Sequence, residues 1–561
     1  MNELIGIAEF AKAIGQPKSR LLSKFLFRAS GLPEMNKAYS HNAHLHGKDF
    51  IDGVLDYNDV HAEYHGSSLE SIPNKYGLVV ICNHPFGGVD GLLALQLMLK
   101  VRPDTKVMAN FLLQKIEPIR EYVLGVNPFD RNISERGSEG GIRAAIQHVK
   151  SGGCLIIFPA GEVATGKGKT PSDKEWKPSI IRLIRELNAS ILPVFFVGRN
   201  SKEFYALSKL SPKIRTLMLP REMAKKKNCS IHMVIGECMS PHLLKGINDR
   251  ELVGRILRTR LYSLEFVPEQ HSTASLPVTS DNVDAEWPDL WSAIHSISHL
   301  KITEQGDFEC YLMRYDDAPV VMQEVGRLRE IAFRGVGEGT MRDIDLDEFD
   351  QHYQHLVLWN KRDGHIAGAY RAGIGSELVT DDHANGLYVS TLFKFHKSLL
   401  PVLKQCIELG RSFVAPEYQR HRLPLGVLWD GIRYIMRKHT ECKFIIGPVS
   451  ISNDYHRIIQ GLMTQYLKHH YSDEIWSDKV TPYNPLEKDI FEGLEDFREL
   501  NKLSLPEFDK IISAIDPMGR NLPVLIKRYI SQHARVLGFN RDASFANSID
   551  VLMMSRIENI R

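Results

Sequence analysis

Short apolar runs alternate with helical patterns through the first half of the 561-residue chain. YGLVVIC precedes VDGLLALQLMLKV, CLIIFPA precedes KPSIIRLIREL, and TKVMAN, EGGIRAAIQHVKS and SILPVFFVG continue the alternation. Runs this apolar suit strands buried on both faces, with the helical segments as crossovers between them. That pattern predicts an α/β fold with a mainly parallel sheet. From Val267 to about Pro288 the chain reads VPEQHSTASLPVTSDNVDAEWP, poor in aliphatic residues and rich in Ser, Thr, Asp and Pro. This places a first domain at 1–266, a linker at 267–300 and a second domain at 301–561. In the second domain VVMQEVGRLREIAF and LPLGVLWDGIRYIMRK read as helices. HLVLWN, IAGAYRAG, ELGRSFVAP and ECKFIIGPVS read as strands, the first two close enough for a hairpin. A second α/β domain with a mixed sheet is expected, and the absence of any internal repeat predicts two different folds.

Composition narrows the partners. Apolar and charged fractions of 43% and 25% are those of a globular chain, and a net charge of +2 argues against a nucleic-acid binder. The seven cysteines are odd in number and lack CxxC spacing, which fits a reducing compartment and announces no metal site. No run approaches the roughly 18 apolar residues of a spanning helix, and the N-terminus MNELIGIAEFAKAIGQ does not read as a signal peptide. In KSRLLSKFLFRASGL, however, Leu21, Leu22, Phe25, Leu26 and Ala29 share a helical face edged by Arg20, Lys24 and Arg28, with Phe27 off that stripe. Such a helix either packs on its own domain or lies on an anionic bilayer surface.

Chemistry concentrates at VVICNHPFGGVDGLLAL, residues 79–95. A strand ends at Asn83, His84 and two glycines follow, and Asp90 stands where a helix begins. Asp90 can orient the imidazole through one ring nitrogen and leave the other as a base for a hydroxyl attacking a thioester. The competing reading is that Asp90 only caps its helix. Three further segments follow in order: GVNPFDRN with Phe129, Asp130 and Arg131; CLIIFPAGEVATG with Gly161 and Glu162; and ILPVFFVG. Together, over roughly residues 70–240, these four blocks resemble the glycerolipid and lysophospholipid acyltransferase family. The resemblance implies a catalytic His84–Asp90 pair and an acceptor site near Arg131, Gly161 and Glu162. One more residue separates His84 from Asp90 than in the family's pattern, and Gly87 and Gly88 offer a bulge to absorb it. Ala160 stands where the family carries a glutamate, which leaves room for an acceptor without a glycerol phosphate. GEVATGK followed by Gly168 fails as a nucleotide-binding loop, because the hydroxyl that would ligate Mg²⁺ is missing.

The second domain's informative string is IELGRSFVAPEYQ. Strand alternation puts Glu408 and Gly410 on one face and Leu409 and Arg411 on the other. Where the strand splays, Glu408 or Arg411 can reach a thioester or an amine. With RLREIAFRG, the acidic run Asp343, Asp345, Asp347 and Asp350, HLVLWN, IAGAYR and LWDGIRYIM, this string resembles the hemolysin-like branch of the GNAT acyltransferases, and the resemblance extends over about 305–561. The usual coenzyme A pyrophosphate loop is not matched by YQRHRLPLGV, which points towards an acyl carrier protein donor.

A chain joining these halves resembles the bifunctional ornithine lipid synthases. The resemblance implies N-acylation of ornithine with a 3-hydroxyacyl chain by the second domain, with Glu408 and Arg411 in catalysis. O-acylation of the lyso-ornithine lipid by the first domain would follow. It further implies acyl carrier protein and a membrane lipid surface as partners, a peripheral place on the cytoplasmic face of a bacterial inner membrane, and no metal or cofactor. A synthase of another acyl-amino acid lipid such as a glycine lipid, a lysophospholipid acyltransferase and a non-catalytic scaffold are the alternatives. Basic runs at REMAKKKN and ARVLGFNRD are candidate docking points for the acidic carrier protein.

Overall fold

The apolar runs of the first half form a seven-stranded sheet in the computed structural model. It describes residues 4–13, 20–126, 139–165, 172–208, 212–245, 247, 249–266, 290–491 and 494–560. Its strands are β1 (Val60–Gly66), β2 (Leu78–Cys82), β3 (Lys106–Asn110), β4 (Val123–Val126), β5 (Cys154–Ile157), β6 (Ser190–Phe196) and β7 (Cys229–Ile235), in the order β1-β7-β6-β2-β5-β3-β4. The five strands from β4 to β6 are parallel, as the crossovers require. At the other edge β7 runs antiparallel to β6, and β1 runs parallel to β7. Every residue of β2 and β5 is buried. Val80 and Ile156 from these strands pack with Ile51 and Leu55 of the helix Gly47–Tyr57, and with Leu93 and Leu97 of the helix Gly88–Val101. Each such side chain contributes about 1.5–3 kcal/mol by leaving water, and the sum fixes the register of the strand that ends at the histidine turn.

The second half builds a mixed sheet from β8 (Lys301–Gln305), β9 (Phe308–Arg314), β10 (Gln354–Asn360), β11 (His365–Ile374), β13 (Cys406–Val414), β14 (Phe444–Ile451), β16 (Arg535–Asp542) and β17 (Ser548–Arg556). The strand order is β16-β17-β14-β13-β11-β10-β9-β8, and β12 (Phe393–Phe395) pairs separately with β15 (Val480–Pro482). Only β13 and β14 are parallel, and they pair over Cys406–Glu408 alone. Beyond Glu408 both strands continue without pairing to each other, which opens a wedge in the sheet. The long apolar helix over Pro319–Arg334 is present as the sequence predicts.

The chain divides into two compact units, Met1–Ala274 with Lys510–Arg520, and Ser275–Asp509 with Asn521–Arg561. Most of the segment read as a linker, 267–289, lies outside the described residues. Among the described residues no helix is long and apolar enough to cross a membrane.

The basic helix forms over Arg20–Ala29 but packs differently from the expected stripe. Phe27, off the stripe, is buried, as is Ser23. It meets Phe10 edge-on at 5.4 Å and clusters with Leu32. Phe25 (67% exposed) and Leu26 (38%) face solvent beside the exposed Lys24, Arg28 and Ala29. The side chains of Arg20, Leu21 and Leu22 lie outside those described.

Candidate active sites

In the first unit β2 delivers Asn83 and His84 to the C-terminal edge of the parallel strands. Asn83 stitches this end to β6, donating to the Phe196 carbonyl at 2.9 Å and accepting from the Phe196 amide at 2.7 Å. The His84 Nδ1 lies 2.9 Å from the Oδ2 of Asp90, which is fully buried. The same oxygen accepts from the amides of Phe86 and Gly87, each at 2.9 Å. The two readings of Asp90 are therefore not alternatives, since one carboxylate oxygen both caps the helix and orients the imidazole. Gly87, at φ 104, takes up the extra residue in a conformation closed to other side chains, whereas Gly88 needs no positive φ. With Nδ1 committed to Asp90, Nε2 makes no hydrogen bond among the described residues, and the His84 side chain keeps 20% exposure.

The segment after β5 closes over the histidine. The Phe158 ring lies 4.4 Å from the His84 ring, and the Ala164 amide donates to the His84 carbonyl at 2.8 Å. Gly161 adopts φ 70 at the turn. Glu162 is held by Lys174 at 2.5 Å and by Arg215. Burial alone would raise its pKa, but the Lys174 hydrogen bond and the Arg215 charge bring it below the usual carboxylate range. Glu162 thus anchors two cations at the rim of the site. Arg131, the other expected acceptor residue, lies outside the described residues. The sequence reading did not single out Asp173, which receives the His84 amide at 3.2 Å and is pushed up to about 6 by burial. It sits in TPSDKEW, a stretch with no periodicity to mark it. In REMAKKKN, Lys226 lies 4.3 Å over the Phe86 ring and donates to the Arg199 carbonyl, Lys225 pairs with Glu222 and Glu203, and Arg221 and Lys227 are exposed. In ARVLGFNRD, Arg541 contacts Gln460, the Asn547 carbonyl and Glu487.

In the second unit Glu408 stands where β13 and β14 part. It is 1% exposed and accepts from the Tyr353 hydroxyl at 2.6 Å and from the Tyr388 and Val389 amides at 3.0 Å. Burial pushes it up to about 7. Strict alternation would turn Arg411 to the opposite face, and the structure corrects that expectation. Two residues of β13, Arg411 and Ser412, oppose Tyr370 alone on β11, and Arg411 takes φ 47. This bulge returns the guanidinium to the Glu408 side, 5.0 Å over the Tyr388 ring and 5.1 Å over Phe545.

Buried ion pairs support this face. Arg329, 1% exposed, holds Asp345 at 2.9 Å and grips both oxygens of Asp350 at 3.2 and 2.9 Å. Arg371 reaches Asp347 at 2.5 Å and Asp350 at 3.3 Å. Burial opposes ionisation of Asp350, but the Arg329 and Arg371 charges prevail and lower its pKa far below normal. Asp343 is exposed and belongs to no such pair. An arginine inside the apolar strand IAGAYRAG was the available signal for Arg371. Across from Arg411, β16 and β17 contribute Asp542 and Asp550. Asp550 is 4% exposed, its Oδ2 finds no donor, and burial with the charges of Asp542 and Glu338 pushes it up to about 8. Glu338 is pushed up to about 7 by burial and by Asp454. None of these three acids was singled out from the sequence.

Residues 7–265 match the acyltransferase family model and residues 328–429 the acetyltransferase (GNAT) domain model. A glycine N(alpha)-acyltransferase of Phocaeicola vulgatus is 35% identical over 251 residues, covering 41% of this chain and 74% of that protein. The chain belongs to the acyltransferases. It carries two such domains, a bifunctional arrangement. The lyso-glycine lipid O-acyltransferase of the same organism is 27% identical over 215 residues, covering 36% of this chain and 73% of that protein. Among solved structures, the 1-acyl-sn-glycerophosphate acyltransferase PlsC of Thermotoga maritima is 20% identical, covering 44% of this chain and 89% of that one at a TM-score of 0.26.

Proposed function

We propose that this acyltransferase makes a di-acylated amino acid lipid, with ornithine as the acceptor and acyl carrier protein as the donor. The second unit N-acylates the amino acid with a 3-hydroxyacyl chain, and the first unit then acylates the new hydroxyl. The observation that carries this reading is the pairing, in one chain, of a histidine with a free Nε2 and a splayed GNAT sheet. The two relatives' names supply the matching pair of activities, one on an amine and one on a lyso-lipid.

In the O-acylation His84 Nε2 takes the proton of the lipid hydroxyl as its oxygen attacks the thioester carbonyl. Asp90 holds the ring and stabilises the imidazolium, and the same proton then leaves with the thiolate. Gly161 and Glu162 stand with the acceptor, Glu162 acting through Lys174 and Arg215, and Arg131 is assigned to it by the family resemblance alone. In the N-acylation Arg411 takes the amino acid's carboxylate. Glu408, enclosed by its three donors, positions the Tyr388–Val389 segment and the bulge instead of touching the amine. Asp550 in its ionised form, with an unpartnered oxygen, accepts one proton of the α-ammonium; the freed amine attacks the thioester carbonyl, the C–S bond breaks, and the second nitrogen proton leaves with the thiolate. Arg411 is already flanked by Asp345 and Asp347 at 3.5 and 3.6 Å, so the further acids Asp542, Asp550 and Glu338 leave this face short of positive charge and favour an acceptor with two ammonium groups, which is why ornithine is placed first. Glycine is the second reading, favoured by the relatives' names.

The exposed Phe25 and Leu26 between Lys24 and Arg28 suit an anionic bilayer, so the enzyme works as a peripheral protein at the cytoplasmic face of the inner membrane. Mass spectrometry of lipids from a host lacking ornithine lipids tests the whole reading. Expression should yield a di-acylated ornithine lipid. A glycine lipid would shift the acceptor, and no new acyl-amino acid lipid would refute the proposal.

A further inference from the structure

The solvent face of the β1–β7 pair carries a cluster that neither acyl-transfer site uses. Glu63 and His65 are two residues apart on β1 and therefore point the same way, and the register sets His232 of β7 directly beside Glu63. The His65 Nε2 lies 2.9 Å from the His232 Nδ1, and that nitrogen lies 3.4 Å from the Glu63 Oε2. All three atoms fall within 4.8 Å of one another. Two imidazoles so close share a single proton when neutral and repel when both are charged, so the arrangement is satisfied best by one small cation between them.

We propose that Glu63, His65 and His232 bind a divalent transition-metal ion of the zinc class. Around a tetrahedral zinc with bonds of about 2.0–2.1 Å, ligand atoms stand about 3.3 Å apart. The distances of 2.9 and 3.4 Å bracket that spacing. The exposed Glu63 side chain is free to turn and close the third edge, and water takes the fourth position. Two imidazoles and one carboxylate select zinc, nickel or copper over magnesium or calcium. His61, on the same face, is already paired with Asp59 at 2.7 Å and stays outside the set. The register sets His232 level with the C-terminal end of β2, so the ion sits at the same end of the sheet as His84, separated from β2 by β7 and β6. Its role is to staple an edge strand, held by one neighbour only, to β7. No sequence spacing announces the site, since His232 follows His65 by 167 residues.

The test uses the full-length protein, stripped with a chelator and titrated with zinc chloride by calorimetry while its melting temperature is followed. One equivalent should bind, the melting temperature should rise, and magnesium should do neither. His65→Ala and His232→Ala, both surface changes, should bind at least about tenfold more weakly, the loss that removal of even a supporting group brings at metal sites. Glu63→Gln, which keeps the shape and removes the charge, should also weaken binding. If the parent binds no zinc, or if both histidine variants bind and melt as the parent does, the proposal is overturned; in the second case other ligands, such as the free cysteines, hold the metal.

Discussion

Asp90→Asn separates the two duties that one carboxylate oxygen performs. In the parent, Asp90 Oδ2 receives His84 Nδ1, the Phe86 amide and the Gly87 amide, all at 2.9 Å and without exposure to water. An asparagine oxygen in the same place still accepts from both amides, so the turn survives. Bonds to a charged acceptor are worth about 1.5–3 kcal/mol and neutral ones about 0.5–1.5, so three weakened bonds cost about 3 kcal/mol. That is tolerable within a stability of about 5–15 kcal/mol. Asp90→Ala instead strands two buried amides at about 1–3 kcal/mol each and endangers the fold. The chemistry suffers more than the stability, because a neutral amide neither fixes the tautomer with Nε2 free nor supports the imidazolium. Acylation of a synthetic lyso-lipid should fall by about 10²- to 10⁴-fold, the usual contribution of an acid–base group. The assay is single-turnover acyl transfer to that lyso-lipid, with N-acylation by the same preparation as an internal control. A folded Asp90→Asn enzyme that keeps O-acylation within a factor of about three of the parent would refute the orienting role.

His84→Ala should accumulate the mono-acylated lipid, while Glu408→Ala should lose both products and regain the di-acylated one when lyso-lipid is supplied; lipid mass spectrometry distinguishes the two. Arg329→Met takes the closest cation from the buried Asp345 and Asp350, leaving them only the longer contacts to Arg411 and Arg371, and should cost about 3–5 kcal/mol in denaturant unfolding. Replacing Phe25 and Leu26 with glutamate should abolish sedimentation with anionic vesicles while leaving the melting temperature unchanged. Asp550, raised in the folded protein from 3.8 to about 8, stays protonated when the unfolded chain has already ionised. The folded state therefore binds more protons between about pH 4 and 8, and stability from this group is lost as pH rises through that window. Asp550→Asn should flatten the fall in melting temperature from pH 5 to 8, and an unchanged pH profile would count against the assignment.

The legible parts of this molecule are those where a local period carries the information. β2 and β5 are buried on both faces, so their sequences are unbroken apolar runs, and the turn after β2 announces itself because the apolar run stops at Asn83 and two glycines precede the helical pattern. Asp90 was visible for the same reason, although its double use as cap and orienting group emerged only from the single oxygen that serves three donors. Arg411 was misplaced because alternation assumes an unbroken strand, whereas a bulge with φ 47 is chosen by the partners that hold the guanidinium, the rings of Tyr388 and Phe545 and the carboxylates of Asp345 (3.5 Å) and Asp347 (3.6 Å), and not by its neighbours in sequence. The helix at Arg20–Ala29 makes the converse point. An apolar stripe does not say what covers it: Phe25, Leu26 and Ala29 of the expected stripe are exposed, and the structure buries Phe27 instead. Asp550, Asp542 and Glu338 were illegible because their meaning is collective: each is an ordinary acid in its own segment, and only the approach of β16, β17 and the loop after Arg334 gives them a shared field. On the proposed N-acylation such a field matters more than a motif: a carboxylate that takes a proton from an ammonium needs a raised pKa, and burial and neighbours assembled from distant parts of the chain raise that of Asp550.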